Sequence, residues 1–379
     1  MANPSDIIYF DHAAATPVRR ELYALFPELA RRCYANSEAA HRLACELRNE
    51  LREAGKRLAG ALFERDPPEC EVIFGNSASE LLALLGCLAW PARAAGAGSM
   101  LDHPAVQAML RHGFAAVRTL PVDRRGLALA PAMPPDGTVK LAAVPWVQSE
   151  IGLVQSPETM LPELRRAFPE ALTLLDMVQG AGKLAPPETL PDLAVISGHK
   201  FGAPGGAALL LLAPAARRLA PAFQQLRHRD YRTGRVEPLT ALLLTHALEL
   251  VAGERRENSV KVAQIGGLLR AGLAQRQLPN GNAISFTVAA AASSPYILHF
   301  LLPGYDGGVL VRMLSERNIM VAAGSACQAE SKNPSAALTA LGFPRRLAYS
   351  GLRLSFSPDN TAAEAQTFLR VLFEVLGTY

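Results

Sequence analysis

Lys200 stands in the run Ser197-Gly198-His199-Lys200-Phe201-Gly202-Ala203-Pro204-Gly205-Gly206, between apolar residues 193–196 and a second apolar run, 207–212. A lysine in a loop at the end of a buried strand is placed to form a Schiff base with a carbonyl compound. It is one of only six lysines in the chain. Asp176 closes the preceding apolar run, Ala171-Leu172-Thr173-Leu174-Leu175, and so falls at the carboxyl end of a predicted strand, where open α/β sheets bind ligands. A lysine and a carboxylate delivered to one crevice meet the needs of pyridoxal phosphate: the amine takes the aldehyde carbon and the carboxylate keeps the pyridine nitrogen protonated. A salt bridge between strand ends explains the same pair of residues equally well.

Four other places carry chemistry. Phe74-Gly75-Asn76-Ser77-Ala78-Ser79-Glu80 ends a strand and opens a helix. The backbone amides and hydroxyls there suit a phosphate, although Ser77 or Ser79 would serve equally as an N-cap. Asp102-His103-Pro104 precedes another helix, so His103 is either a ring-stacking proton carrier or a loop histidine at a helix start. Cys327, in Gly324-Ser325-Ala326-Cys327 before a polar segment, is a candidate nucleophile, since a reactive thiolate needs solvent access. Arg353 is a charge inside the strand-like run Leu352-Arg353-Leu354-Ser355-Phe356 and requires a partner, either a substrate carboxylate or a structural one.

The elements that must position these residues follow from periodicity. Strands are predicted at 72–74, 141–144, 172–175, 193–196 and 207–212, and helices at 38–62, 79–89, 105–113 and 240–251. This alternation predicts an α/β domain with a mainly parallel sheet covered by helices. Beyond Gly253 the pattern changes to a charged helix at 254–277, strands at 283–288, 297–302 and 352–356, a helix at 309–317 and a final helix, which reads as a smaller α+β domain. Residues 131–137 read as a surface loop.

Composition narrows the class. The chain has 379 residues, 50% hydrophobic and 19% charged, with a net charge of +4 from scattered arginines. That composition is globular, speaks against nucleic acid, and is weakly favourable to anionic ligands. The five cysteines, Cys33, Cys45, Cys70, Cys87 and Cys327, include no C-x-x-C pair, so neither a disulfide framework nor a metal site is expected. With no basic leader or apolar span in view, a cytoplasmic protein without membrane association is expected.

Together these segments resemble the NifS- and IscS-like cysteine desulfurases of the class V aminotransferase family. The likeness runs from Tyr9-Phe10-Asp11-His12-Ala13-Ala14-Ala15-Thr16-Pro17-Val18, through Asp102-His103-Pro104-Ala105-Val106, Asp176-Met177-Val178-Gln179-Gly180-Ala181-Gly182-Lys183 and the Lys200 segment, to the Cys327 segment and Arg353, in family order. The resemblance implies a fold type I pyridoxal phosphate enzyme, normally a homodimer, with residues 15–252 as the large domain and residues 1–14 and 253–379 as the small one. It assigns Lys200 to the Schiff base, Asp176 to the pyridine nitrogen, Gln179 to the ring hydroxyl, His103 to ring stacking, and Ala78, Ser79, Ser197 and His199 to the phosphate. Arg353 and Asn36 would meet the substrate, L-cysteine. Cys327 would accept its sulfur and pass it to an acceptor or iron-sulfur scaffold protein.

Two departures stand out. Ser149, in Gln148-Ser149-Glu150-Ile151-Gly152, replaces a family asparagine near cofactor and substrate, which implies a weaker or different substrate grip. Arg235, in Arg232-Thr233-Gly234-Arg235, replaces a threonine expected at the partner's phosphate. Selenocysteine cleavage, another pyridoxal phosphate reaction, and a weakly active homologue that mainly binds sulfur-trafficking partners are the alternative readings.

Overall fold

The computed structural model describes residues 7–66, 69–127, 135–227, 236–324 and 334–379. The first part of the chain runs β1 (Ile8–Tyr9), α1 (Arg20–Arg32), α2 (Arg42–Phe63), β2 (Glu71–Gly75), α3 (Ala78–Gly86), β3 (Ala95–Gly98), α4 (Pro104–Gly113) and β4 (Ala116–Thr119). The hairpin β5 (Val122–Asp123) and β6 (Gly126–Leu127) leads to β7 (Val139–Pro145), α5 (Pro157–Ala167), β8 (Leu172–Asp176), β9 (Leu193–Ser197) and β10 (Ala207–Leu211). Two short helices, α6 (Pro214–Arg217) and α7 (Ala220–Gln225), precede the long α8 (Pro238–Ala274). The remainder is β11 (Ser285–Phe286), β12 (Ile297–Leu301), α9 (Gly307–Ser315), β13 (Ile319–Met320), α10 (Ala336–Ala340), α11 (Arg345–Ala348), β14 (Gly351–Ser355) and α12 (Ala362–Thr378).

Seven strands form the main sheet in the order β2-β10-β9-β8-β7-β3-β4. All neighbours are parallel except β10, which runs antiparallel to both β2 and β9. The expected mixed α/β architecture is present. Its inner strands are apolar along their whole length because helices cover both faces: β9 and β10 are buried at every position. A second sheet, β11-β12-β14, is antiparallel. The N-terminal β1 pairs in parallel with β13, so the start of the chain packs with its last third.

Three sequence expectations need correction. The helices expected at 240–251 and 254–277 are one helix, α8, which continues through Gly253. An added Cβ at Gly253 would meet nothing within 4 Å, so the glycine is a tolerated solvent-side position rather than a break. A boundary after residue 252 therefore falls inside a helix. The strand expected at 283–288 contracts to Ser285–Phe286.

Strand β3 escaped notice altogether, because Ala95-Gly96-Ala97-Gly98 has the composition of a weak strand. Its glycines answer to packing. A Cβ on Gly96 would come within 2.7 Å of Leu110, and one on Gly98 within 2.5 Å of Leu110 and 2.9 Å of Asp102. Helix α4 thereby lies directly on β3, which sets the position of His103 at its start. Helices α1 and α5 were also missed; each carries an internal proline, Pro27 and Pro162, which reads as a breaker in sequence. Of the loop expected at 131–137, residues 131–134 lie outside the described residues.

Candidate active site

The parallel strands end along one edge of the sheet, and a cavity of about 170 Å³ opens there. Asp176 is the last residue of β8, paired with Pro145 at the end of β7. Ser197 ends β9, and the chain then closes into a 3-10 turn, Gly198–Lys200, that presents His199 and Lys200. The N-terminus of α3 contributes Ala78 and Ser79, and the start of α4 contributes His103. All of these line the cavity together with Ser149, Gln179 and Arg353. Ten of the site residues expected from sequence thus converge on one volume.

Hydrogen bonds hold them in defined roles. Lys200 Nζ donates to the Ala14 carbonyl at 2.8 Å, and Gln179 Nε2 donates to the Ala13 carbonyl at 2.9 Å. Gln179 Oε1 is buried and has no partner among the described residues, so it is an acceptor with bonding capacity to spare. Asp176 Oδ1 accepts from the Val178 amide at 3.0 Å. Ser197 Oγ and His199 Nδ1 lie 3.0 Å apart.

His103 is itself the N-cap of α4, its Nδ1 accepting from the Ala105 amide at 3.1 Å. The helix-start reading was correct, and it does not exclude chemistry. An accepting Nδ1 leaves the proton of the neutral ring on Nε2. At α3 the capping duty falls to Ser77, whose Oγ accepts from the Glu80 amide at 3.1 Å, and not to Ser79.

Burial dominates the electrostatics. It pushes the His103 and His199 imidazoles down, His199 to about 4, with Lys200 adding to the depression of both. It pushes the Asp176 carboxyl up, against the Val178 amide and the nearby His103 and Lys200. A cation brought against a carboxyl group so placed favours its ionised form.

Arg353 shows a more complicated outcome than either reading of the sequence. It is 2% exposed, its Nη2 donates to Asp11 Oδ1 at 2.6 Å, and its Nη1 donates to the Ser149 carbonyl at 3.0 Å. A structural carboxylate is therefore present, yet Arg353 still lines the cavity and its Nε has no partner among the described residues.

Not every expected residue joins the site. Asn36 is exposed, its Oδ1 accepts from the Glu38 amide at 3.0 Å, and it is not among the residues lining the cavity. Its side chain caps its own turn. Cys327 and Arg235 lie outside the described residues.

Asp102 and Lys183 are among the buried titratable groups that carry no signal in the sequence. Burial pushes the Asp102 carboxyl up to about 8, with Asp176 adding to the rise. Burial pushes the Lys183 amine down to about 7, with Lys200 adding to the fall. Both were written in the sequence inside motifs beside His103 and Gln179, but no local pattern announces that a strand-end loop will be sealed from water. The backbone carbonyls of Ala13 and Ala14 were missed as well, since alanines carry no chemical signal.

Comparison with known proteins agrees with this geometry. The chain is 27% identical to a NifS/IcsS protein homolog of Lactobacillus delbrueckii subsp. bulgaricus, over 97% of each chain. It is 28% identical to an IscS-like cysteine desulfurase of Mycobacterium tuberculosis, over 96% of this chain and 95% of that protein. Among solved structures, a NifS-like protein superposes with a TM-score of 0.83 at 23% identity, over 98% of this chain and all of the other. A NifS-like protein from Rickettsia africae superposes with a TM-score of 0.79 at 21% identity, over 98% and 100%. The model of the aminotransferase class-V family matches residues 8–368, and this chain belongs to that family of pyridoxal phosphate enzymes.

Proposed function

We propose that the chain is a pyridoxal-phosphate-dependent cysteine desulfurase that converts L-cysteine to L-alanine and leaves the sulfur as a persulfide on Cys327. The observation that carries this reading is the convergence of Lys200, Asp176, His103 and Arg353 on one cavity at the strand ends. The residues fit the cofactor. The unpartnered Gln179 Oε1 can accept from a ring hydroxyl, Asp176 has a raised proton affinity that a pyridinium would satisfy, and the start of α3 offers amides to a phosphate. Ser79, Ala78, Ser197 and His199 would hold the phosphate, Ser149 would lie beside the cofactor, His103 would cover the ring, and Lys200 would take the aldehyde carbon. When bound, the cofactor supplies an electron sink for the Cα–H and Cβ–S bonds of an amino acid.

The chain's own residues do the rest. Arg353 would bind the substrate carboxylate, and Lys200, which lines the same cavity, would serve as the base for the Cα proton. His103, with its proton on Nε2, can donate to or accept from groups in the cavity while its Nδ1 stays fixed to α4. The Cys327 thiolate attacks the substrate sulfur; the Cβ–S bond breaks, the S–S bond forms, and the carbon keeps the electron pair and takes a proton to become the methyl group of alanine. A homodimer, with Arg235 reaching the partner's phosphate, a sulfur-acceptor or iron-sulfur scaffold protein as recipient, and a cytoplasmic location complete the proposal. The test is to supply purified protein with pyridoxal phosphate and L-cysteine and to measure alanine and protein-bound persulfide. Equal amounts of the two support the reading; pyruvate and ammonia in place of alanine would replace it with a β-elimination.

A further inference from the structure

Residues 11–15 touch both ends of the cavity. The carboxylate of Asp11 accepts from Arg353 Nη2 at 2.6 Å, while the Asp11 carbonyl accepts from the Ala14 and Ala15 amides at 3.0 and 3.3 Å and closes a turn. That same turn supplies the Ala14 carbonyl to Lys200 Nζ and the Ala13 carbonyl to Gln179 Nε2. It is anchored on β14, two residues beyond Arg353, through the Ala13 amide to Ser355 Oγ at 2.8 Å and the Ser355 amide to the Phe10 carbonyl at 2.8 Å. The turn therefore measures the distance between the arginine and the lysine.

We infer that Asp11 is a positioning residue that orients Arg353 for the carboxylate of the amino acid substrate, through one short turn that also places Lys200. The inference rests on the carboxylate-binding role proposed for Arg353. A guanidinium has five N–H donors. Asp11 and the Ser149 carbonyl take one each, on Nη2 and Nη1, and fix the plane of the group, while among the described residues three donors remain, including the Nε–H, which has no partner there. Three donors suffice for a bidentate carboxylate. The hold on the other side comes from the backbone of residue 149, so the serine that replaces the family's asparagine does not weaken it. With a side chain 22% exposed against 2% for Arg353, Asp11 is the outer member of the pair and shields the guanidinium from water.

The measurement is the preference of the holoenzyme for L-alanine over L-alanine methyl ester, read as the ratio of dissociation constants from the change in visible absorbance. It requires no sulfur transfer, so it stands apart from the desulfurase reaction itself. In the wild type the acid binds more tightly than the ester. Asp11→Asn lowers that preference by about tenfold, the worth of a charge-assisted hydrogen bond, through weaker binding of the acid with the ester unchanged. A loss shared equally by acid and ester, or no loss, overturns the inference. Arg353→Gln is the reference: if it too leaves the preference intact, the carboxylate role of Arg353 fails; if it abolishes the preference while Asp11→Asn does not, only the positioning role fails. Should Asp11→Asn not fold, Asp11→Glu keeps the charge on a longer stem, and a preference between those of wild type and Arg353→Gln is expected; a preference equal to the wild type overturns the inference.

Discussion

The seven-stranded and the three-stranded sheets deliver charge to the same cavity by opposite means. In the large sheet the titratable side chains lining the cavity sit at or beyond the ends of strands: Asp176 as the last residue of β8, His199 and Lys200 after β9, His103 after β3. In the small sheet Arg353 sits at the centre of β14, opposite His299 of β12, and is almost wholly buried. Parallel strands point their carboxyl ends the same way, so residues far apart in sequence are gathered by the fold without needing direct contact. A charge in the middle of an antiparallel strand has no such gathering and depends on particular partners, here Asp11 and the Ser149 carbonyl. The first arrangement tolerates much variation in the strands; the second hangs on two hydrogen bonds.

Lys200→Ala tests the strand-end arrangement most severely. It should abolish the visible absorbance of the reconstituted protein and cut cysteine turnover by about 10⁴-fold, since one group serves as both attachment point and base. Wild-type protein that stays colourless with pyridoxal phosphate would break the comparison at its root. Cys327→Ser should eliminate protein-bound persulfide while the absorbance change on adding L-cysteine persists; full turnover in that variant would sink the persulfide route.

His103→Ala should reduce turnover by about 10²-fold and, because Nδ1 caps α4, lower stability by about 1 kcal/mol. Turnover is followed by alanine release and stability by urea midpoint. A loss of stability with full turnover would leave His103 a cap alone.

A pH series sharpens the role of burial. The folded-state affinity of Asp102 for its proton is raised, to about 8, so its contribution falls as pH rises from its unfolded value near 3.8 through 8. His12 and His199, both lowered to about 4, act in the other direction, and their contributions are lost as pH falls from 6.5 to about 4. Asp102→Asn should therefore flatten the decline of melting temperature between about pH 4 and pH 8 and leave the profile below about pH 4 alone. The smallest effect is expected for Ser149→Ala, which should alter the acid-over-ester preference by less than about twofold, because Arg353 is held by the backbone of residue 149.

Much of the strand-end site was legible because its signals are local. An apolar run closing on Asp176, and another followed by His199 and Lys200 before a glycine-proline turn, can be read within ten residues. Strand β3 was illegible for the contrary reason: its glycines make sense only against Leu110 of α4. The contact by which Asn36 caps its own turn is likewise not legible in sequence, where its side chain looks uncommitted. Helix α8 runs unbroken through Gly253, which reads as a break in sequence, because the packing of its first half against the core outweighs a glycine on its open side.

The sequence alone determined that a lysine and a carboxylate would stand at the ends of apolar strands, and that a histidine and small hydroxyl-bearing residues would stand at helix starts, since strand periodicity and loop chemistry are properties of neighbours along the chain. The tertiary structure decided what a chain cannot express locally: that Arg353 answers to Asp11 across 342 residues, that the carbonyls of Ala13 and Ala14 hold Gln179 and Lys200, and that burial shifts Asp102 and Lys183 towards neutrality. Each of these depends on which surfaces meet and how much water they exclude, and that is settled only when the two sheets close on one cavity.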